Sequence, residues 1–250
     1  MNSICVAAYN GSLEIEHQLM SILEELEADD EVIIVNDCST DDTLAKITNM
    51  NDHRINVFNF QENKGHVAAF EKAISMATGN YIFLSDQDDI WAKGRYQLMK
   101  STMDKKDVML LSSNFDCFDN LGNSCFIPAH IQDKSETKSF FKKIMYIFAG
   151  KKCGCSVYGC TMVFKKEFTK IILPIPSFVE AHDIWISLAA YILKSYFHLD
   201  TITLHRRLSG SNLTQQNRKF YKKVKSRIPM ALSVFELLKR KRKYLTSIKK

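Results

Sequence analysis

Three carboxylates crowd the segment Ser85-Asp86-Gln87-Asp88-Asp89, directly after the apolar run Tyr81–Leu84. Like charges so close repel. A divalent cation such as Mg²⁺ or Mn²⁺, which favours carboxylate and water oxygens, would relieve the conflict. The plainer reading is a solvated acidic turn, or capping of the helix that includes Lys93–Met103. A further carboxylate, Asp183, sits beside His182 at the head of an apolar helical stretch. It either caps that helix or serves as a general base, which must be ionised and within reach of the substrate proton. His182 reads as its orienting neighbour. His66, at a helix start, is either a surface or cap residue or a substrate contact. Cys153, Cys155 and Cys160 cluster, but the spacing lacks a second pair for zinc; they read as half-buried thiols.

Such residues need a scaffold, and the apolar pattern supplies one. Ile4–Ala8, Glu31–Asn36, Arg54–Phe60 and Tyr81–Leu84 read as strands. Between them, Leu13–Leu26, a stretch ending near Asn49, and the stretch from Gly65 to Gly79 carry helical spacing. The order βαβαβαβ implies a parallel sheet with helices on both faces. Ligands in such sheets bind beyond the carboxyl ends of the strands. Tyr9-Asn10, Asp37-Cys38-Ser39 and the acidic segment should therefore converge on one edge. No GxGxxG follows the first strand and no GxxxxGK[ST] occurs, which argues against dinucleotide and Walker sites. Further on, Val108–Ser112 and Thr161–Phe164 read as strands, Asn114–Ser139 as loop, and Phe140–Phe148 and His182–Leu193 as helices. Tyr196–His205 reads as extended, and Pro229–Lys243 as an amphipathic helix whose apolar stripe is Met230, Val234, Leu237 and Leu238.

The 250 residues are 46% apolar and 25% charged, a globular composition with no membrane-length apolar run. Seven irregularly spaced cysteines do not form a disulfide framework, and the first residues lack a signal-peptide pattern; a cytoplasmic setting is expected. The sequon at Asn212-Leu213-Thr214 is then accidental. The net charge of +6 is uneven: residues 217–250 carry thirteen Lys or Arg and one acid, so residues 1–216 are net acidic. That tail suits an anionic partner. A membrane surface, a solvated basic end, and nucleic acid are the readings. Nucleic acid is not expected, because neither stacking aromatics nor a known binding fold accompanies the charge.

Taken together, the motifs resemble the family 2 glycosyltransferases of the GT-A fold. VAAYN at 6–10, EVIIVNDCSTDDT at 31–43, NKGHVAAFEKAISMATGNYIFLSDQDDIW at 63–91 and AHDIW at 181–185 carry the likeness, over about residues 3–214. SDQDDIW, GCTMVF at 159–164 and HDIW are closest to the rhamnosyltransferase-like branch. Cys38 stands where the family has Gly, which would strain a left-handed backbone there.

The resemblance implies an α/β fold with a central, mostly parallel sheet flanked by helices. Residues 1–105 would form a nucleotide-binding half, 106–216 an acceptor-binding half, and 217–250 a basic helical tail. Ala7, Tyr9 and Asp37 would surround the nucleotide base, with Asn10, His66 and Gln87 completing the donor site. Asp86 would lie near ribose and metal, and Asp88 would ligate Mn²⁺ or Mg²⁺ directly. Asp183 would take the acceptor proton, inverting the anomeric centre. Trp185 and Gly159-Cys160-Thr161 would shape the sugar pocket, and Arg206 would meet phosphate oxygens. The implied reaction moves a sugar from a UDP- or dTDP-linked donor, rhamnose being one candidate, to a saccharide or lipid-linked saccharide in surface polysaccharide assembly. The protein would work in the cytoplasm, peripherally at the inner face of the membrane. The rivals are a nucleotidyltransferase of related fold, which lacks its glycine-rich basic phosphate loop here, and a degenerate, non-catalytic binding protein.

Overall fold

The computed structural model describes residues 1–119, 124, 158–207 and 227–248. β1 (Ser3–Ala8), β2 (Glu31–Asn36), β3 (Ile55–Asn59) and β4 (Tyr81–Asp86) alternate with α1 (Ile15–Leu23), α2 (Thr43–Asn49) and α3 (His66–Met76). After β4 come β5 (Ile90–Trp91), α4 (Arg95–Lys106) and β6 (Leu110–Phe118). They are followed by β7 (Met162–Lys165), α5 (Thr169–Ile172), α6 (His182–Leu193), β8 (Tyr196–Arg207) and α7 (Arg227–Ile248).

Among the described residues the strands form one sheet, ordered β3-β2-β1-β4-β7-β6-β8-β5. β1 pairs in parallel with β2 and β4, β2 with β3, and β6 with β8; β7 runs antiparallel to β4 and β6, and β5 to β8. Successive side chains on a strand point to opposite faces. Ile4, Val6 and Ala8 accordingly pack with α1 and α4, through Ile15, Leu19, Ile22, Tyr96 and Met99. Cys5, Ile33 and Val35 pack on the other side with Phe70, Ala73 and Ile74 of α3 and with Trp185 and Ile186 of α6. Both faces are covered, so the strands read as unbroken apolar runs.

Two expectations are corrected. Asn114–Phe118 is strand, not loop: β6 continues past Ser112, with register shifts on either side of Asn114. Its side chains alternate, Phe115 and Cys117 inward and Asn114 and Asp116 partly exposed, so the polar half hides the strand pattern. Of the expected stripe, Val234 and Leu237 lie on the inner side of α7, with Leu237 only 1% exposed, whereas Leu238 faces solvent. The helix expected over Phe140–Phe148, Cys153 and Cys155, the sequon, and the 216/217 boundary fall outside the described residues.

Candidate active site at the carboxyl ends of the strands

β1, β2 and β4 are adjacent and parallel, so their carboxyl ends share one edge. Ala7 lies opposite Asp86 in the β1–β4 register. Past β1, the Tyr9 N–H donates to Gln87 Oε1 at 2.7 Å and Gln87 Nε2 donates to the Tyr9 carbonyl at 3.0 Å. The Gln87 amide, expected against the donor, thus staples the acidic turn to the end of β1. The staple needs Gly11, where a Cβ would stand 2.5 Å from the Gln87 amide carbon. Asn10 has φ 47°, and its Oδ1 accepts from Thr40 N–H at 2.8 Å, tying the first loop to the second. Tyr9 stays 46% exposed, open to a stacking partner.

Asp37 is buried. Its two oxygens accept from the N–H groups of Lys64 (2.7 Å) and Gly65 (2.8 Å), clamping the start of α3. Each carboxylate oxygen keeps a lone pair for another donor. Cys38 is left-handed, with φ 60°, so a Cβ does occupy the strained position. Gly65, at φ 83°, admits the turn that places His66 at the head of α3.

The acidic cluster is buried in part and held from behind. Ser85 Oγ accepts from Gln18 Nε2 at 3.0 Å and Trp91 Nε1 at 3.1 Å. Burial, then Asp86, pushes the Asp88 carboxyl up to about 6. Asp89, 1% exposed, is driven well above the usual carboxylate range by burial and by Asp86 and Asp88. Its Oδ1 accepts from Arg207 N–H at 3.3 Å, the neighbouring Cys160 thiol also faces the carboxylate, and Oδ2 meets no N–H or O–H donor among the described residues. Asp86, Asp89 and Cys160 bring one donor atom each within 4.8 Å of one another. Burial keeps the Cys160 thiol protonated, and sulfur is a soft ligand, so the fit is to the oxygens. A buried carboxylate oxygen that meets no N–H or O–H donor among the described residues, amid crowded carboxylates, suits a hard divalent cation.

Asp183 opens α6. Burial pushes its carboxyl up to about 6, against the pull of the Ile184 N–H on Oδ1 at 2.7 Å, and Asp86 adds to the rise. Arg206 near the end of β8 answers these charges. Burial opposes its cation, but Cys160, Asp86, Asp89 and Tyr158 hold it above its usual range. Its guanidinium lies 4.5 Å over the Tyr158 ring. The register shifts at Asn114 set this placement, since they bring Cys117 opposite Arg206.

His182 is buried and neutral, its pKa lowered to about 3 by burial and then by His66. It stacks on Phe70 at 4.1 Å and meets the His66 ring at 5.6 Å. Gly159 leaves room for it; a Cβ there would come within 2.5 Å of Nε2. Trp185 is a correction. It is 1% exposed, donates from Nε1 to the Ile172 carbonyl at 2.8 Å, and lies beneath Arg240. At helical spacing it turns inward from Asp183 and packs the core, so it does not line a sugar pocket.

The sequence placed Asp89 in the acidic segment without a role of its own, and it did not single out Arg95. The doubled Asp was the available signal for the first. Nothing local marked Arg95, which is fully buried over the Trp91 ring and donates to Thr203 Oγ1 (2.8 Å) and the Cys160 carbonyl (2.7 Å). It fixes the Cys160 turn against the acidic cluster.

Comparisons with known proteins bear on the family and the fold. The profile described as Glycosyl transferase family 2 matches residues 3–171. The Escherichia coli UDP-Glc:alpha-D-GlcNAc-diphosphoundecaprenol beta-1,3-glucosyltransferase WfgD is 26% identical over 223 residues, 88% of this chain and 82% of that protein. The Shigella flexneri dTDP-rhamnosyl transferase RfbG is 31% identical over 184 residues, 67% of this chain and 57% of that one. Among solved structures, Staphylococcus aureus TarS 1-349 in complex with UDP-GlcNAc superposes with a TM-score of 0.72 at 18% identity. That match covers 94% of this chain and 65% of the TarS chain, and it shows the GT-A fold. The chain belongs to glycosyltransferase family 2 and is a glycosyltransferase.

Proposed function

We propose that the protein transfers a sugar, with inversion, from a UDP- or dTDP-linked donor to a saccharide or lipid-linked saccharide during surface polysaccharide biosynthesis. The observation that carries this reading is that Asp88, Asp89 and Asp183 each lie within electrostatic reach of both Asp86, at the carboxyl end of β4, and Arg206. WfgD, named for a diphosphoundecaprenol-linked acceptor, and RfbG, named for a dTDP-rhamnosyl donor, supply the substrate classes.

In this reading residues 1–105 hold the donor and 106–216 the acceptor. Tyr9 packs on the base, Asp37 accepts from it, and Asn10, Ala7 and His66 border it. Asp88 and Asp86 would hold Mg²⁺ or Mn²⁺, together with Asp89, which offers an oxygen within 4.8 Å of one from Asp86. The ion, when bound, would stabilise negative charge on the leaving nucleoside diphosphate. Arg206 contributes positive charge toward the same phosphates, in the geometry Arg suits. Asp183, ionised above about pH 6, accepts the acceptor hydroxyl's proton as that oxygen attacks the anomeric carbon. Attack opposite the leaving phosphate inverts the centre. A lipid-linked acceptor puts the reaction at a membrane surface, where the basic tail at 217–250 suits anionic headgroups. Among the described residues no helix is long and apolar enough to cross a membrane.

Thermal melting with UDP, dTDP, GDP and CDP, each with and without Mn²⁺, tests the donor half. A ligand that binds only the native state raises Tm. One nucleotide should raise it only with metal, and Asp88→Asn should remove the effect. A metal-independent shift, or none in folded protein, would overturn the metal and donor assignments.

A further inference from the structure

The rotation of α7 about its axis is fixed by its inner face. Leu237 is buried among residues of α5 and α6. Arg240 donates to the Ile171 carbonyl at 3.0 Å and to Glu236 Oε1 at 2.9 Å, and covers the Trp185 ring at 5.2 Å. Lys241 donates to the Ile192 carbonyl at 2.8 Å. Both carbonyls lie at helix C-termini, where cations are favoured. Two charges of the Lys239–Lys243 run are therefore spent on docking.

The opposite face is left outside. Ile228 is 67% exposed, Leu232 45%, Phe235 72% and Leu238 45%. At 3.6 residues per turn these share a side with Lys239, Arg242 and Lys243, which are also exposed. The outer face is thus apolar in its first half and cationic in its second. An ordinary solvated helix would not expose a Phe and three large aliphatics in one stripe. The apolar half alone would suit a protein partner, but the adjoining block of three cations without an exposed acid selects an anionic surface.

We propose that this outer face of α7 is a docking surface for anionic phospholipid, with Phe235 and Leu232 entering the headgroup boundary and Lys239, Arg242 and Lys243 meeting headgroup phosphates. This geometry is that of a helix lying in a membrane interface. The inference deepens the membrane part of the proposed function and is independent of the donor chemistry. It also differs from the expectation drawn from the sequence, because Val234 and Leu237 of that stripe are packed against the protein itself.

Vesicle flotation of the full chain tests it, using phosphatidylcholine alone or with roughly 30% phosphatidylglycerol. Wild type should float with the anionic vesicles and lose binding as salt rises. Lys239→Gln/Arg242→Gln/Lys243→Gln should weaken that binding on the order of 100-fold, since each basic residue near the surface contributes about fivefold. Leu232→Ser/Phe235→Ser should weaken it about tenfold or more. Both sets lie on the exposed side, so melting temperatures should match wild type, and nucleotide binding on the same samples reports separately on the donor site. Folded wild type that ignores anionic vesicles would overturn the proposal, as would variants that float like wild type. A lipid-free dimer split by Leu232→Ser/Phe235→Ser would also overturn it, by making a second copy the occupant.

Discussion

Replacing Asp183 by Asn is expected to abolish transfer and, at neutral pH, to stabilise the fold. Burial raises the Asp183 carboxyl from 3.8 to about 6, even though the Ile184 N–H favours its ionised form. The native state therefore holds a proton that the unfolded chain has released between those values. Stability falls as pH rises through that window, and the loss is complete above about pH 6. At ~1.4 kcal/mol per pKa unit the strain amounts to about 3 kcal/mol at neutral pH. Asn cannot ionise and escapes it. Its amide oxygen accepts the Ile184 N–H less strongly, which leaves a net gain of about 1–2 kcal/mol. Urea unfolding of both proteins at about pH 7.5 and below about pH 4, alongside a transfer assay, measures this. The gain should be present at the higher pH and vanish at the lower one, where the wild-type carboxyl is neutral. A variant that is less stable at the higher pH, or equally favoured at both, would refute the argument from burial. Retained turnover would remove Asp183 from the base role.

The other predictions concern the same edge of the sheet. Wild-type kcat should fall about tenfold between pH 7 and pH 5 as Asp183 protonates, and more steeply at low metal, where Asp88 also titrates; a flat profile would contradict both pKa directions. Gly11→Ala drives a Cβ into the Gln87 amide and should cost about 1–3 kcal/mol and weaken nucleotide binding. If the clash is the cause, adding Gln87→Ala should make the second change far less costly than it is alone, a coupling a double-mutant cycle reads directly. Trp185→Ala should destabilise by about 3–5 kcal/mol, and in the folded fraction the acceptor KM should change little; a large KM effect with little loss of stability would return Trp185 to the pocket.

Much was determined locally. Ile4–Ala8 and Glu31–Asn36 are β-branched runs between breakers, and His66–Met76 repeats its apolar residues at helical spacing, so the alternating order and its parallel sheet follow from short-range pattern. Strand ends then name the edge where Tyr9, Asp37 and Asp86 gather, because parallel strands put all their carboxyl termini together. Asp183 and Arg206 are remote in sequence, and only the packing of α6 and the shifted β6–β8 register brings their charges to bear on Asp86. Arg95 became visible as a scaffold for the Cys160 turn only through contacts more than sixty residues away. The same holds for direction. Periodicity says that a helix has sides, but not which side finds a neighbour. Trp185 looked like a ligand residue and is core. Val234 and Leu237 looked like part of a free stripe and are docked, because Arg240 and Lys241 lock α7 onto the carbonyl ends of two other helices. Spacing along the chain fixes which residues share a face; burial against non-local partners decides which face remains for substrate or surface.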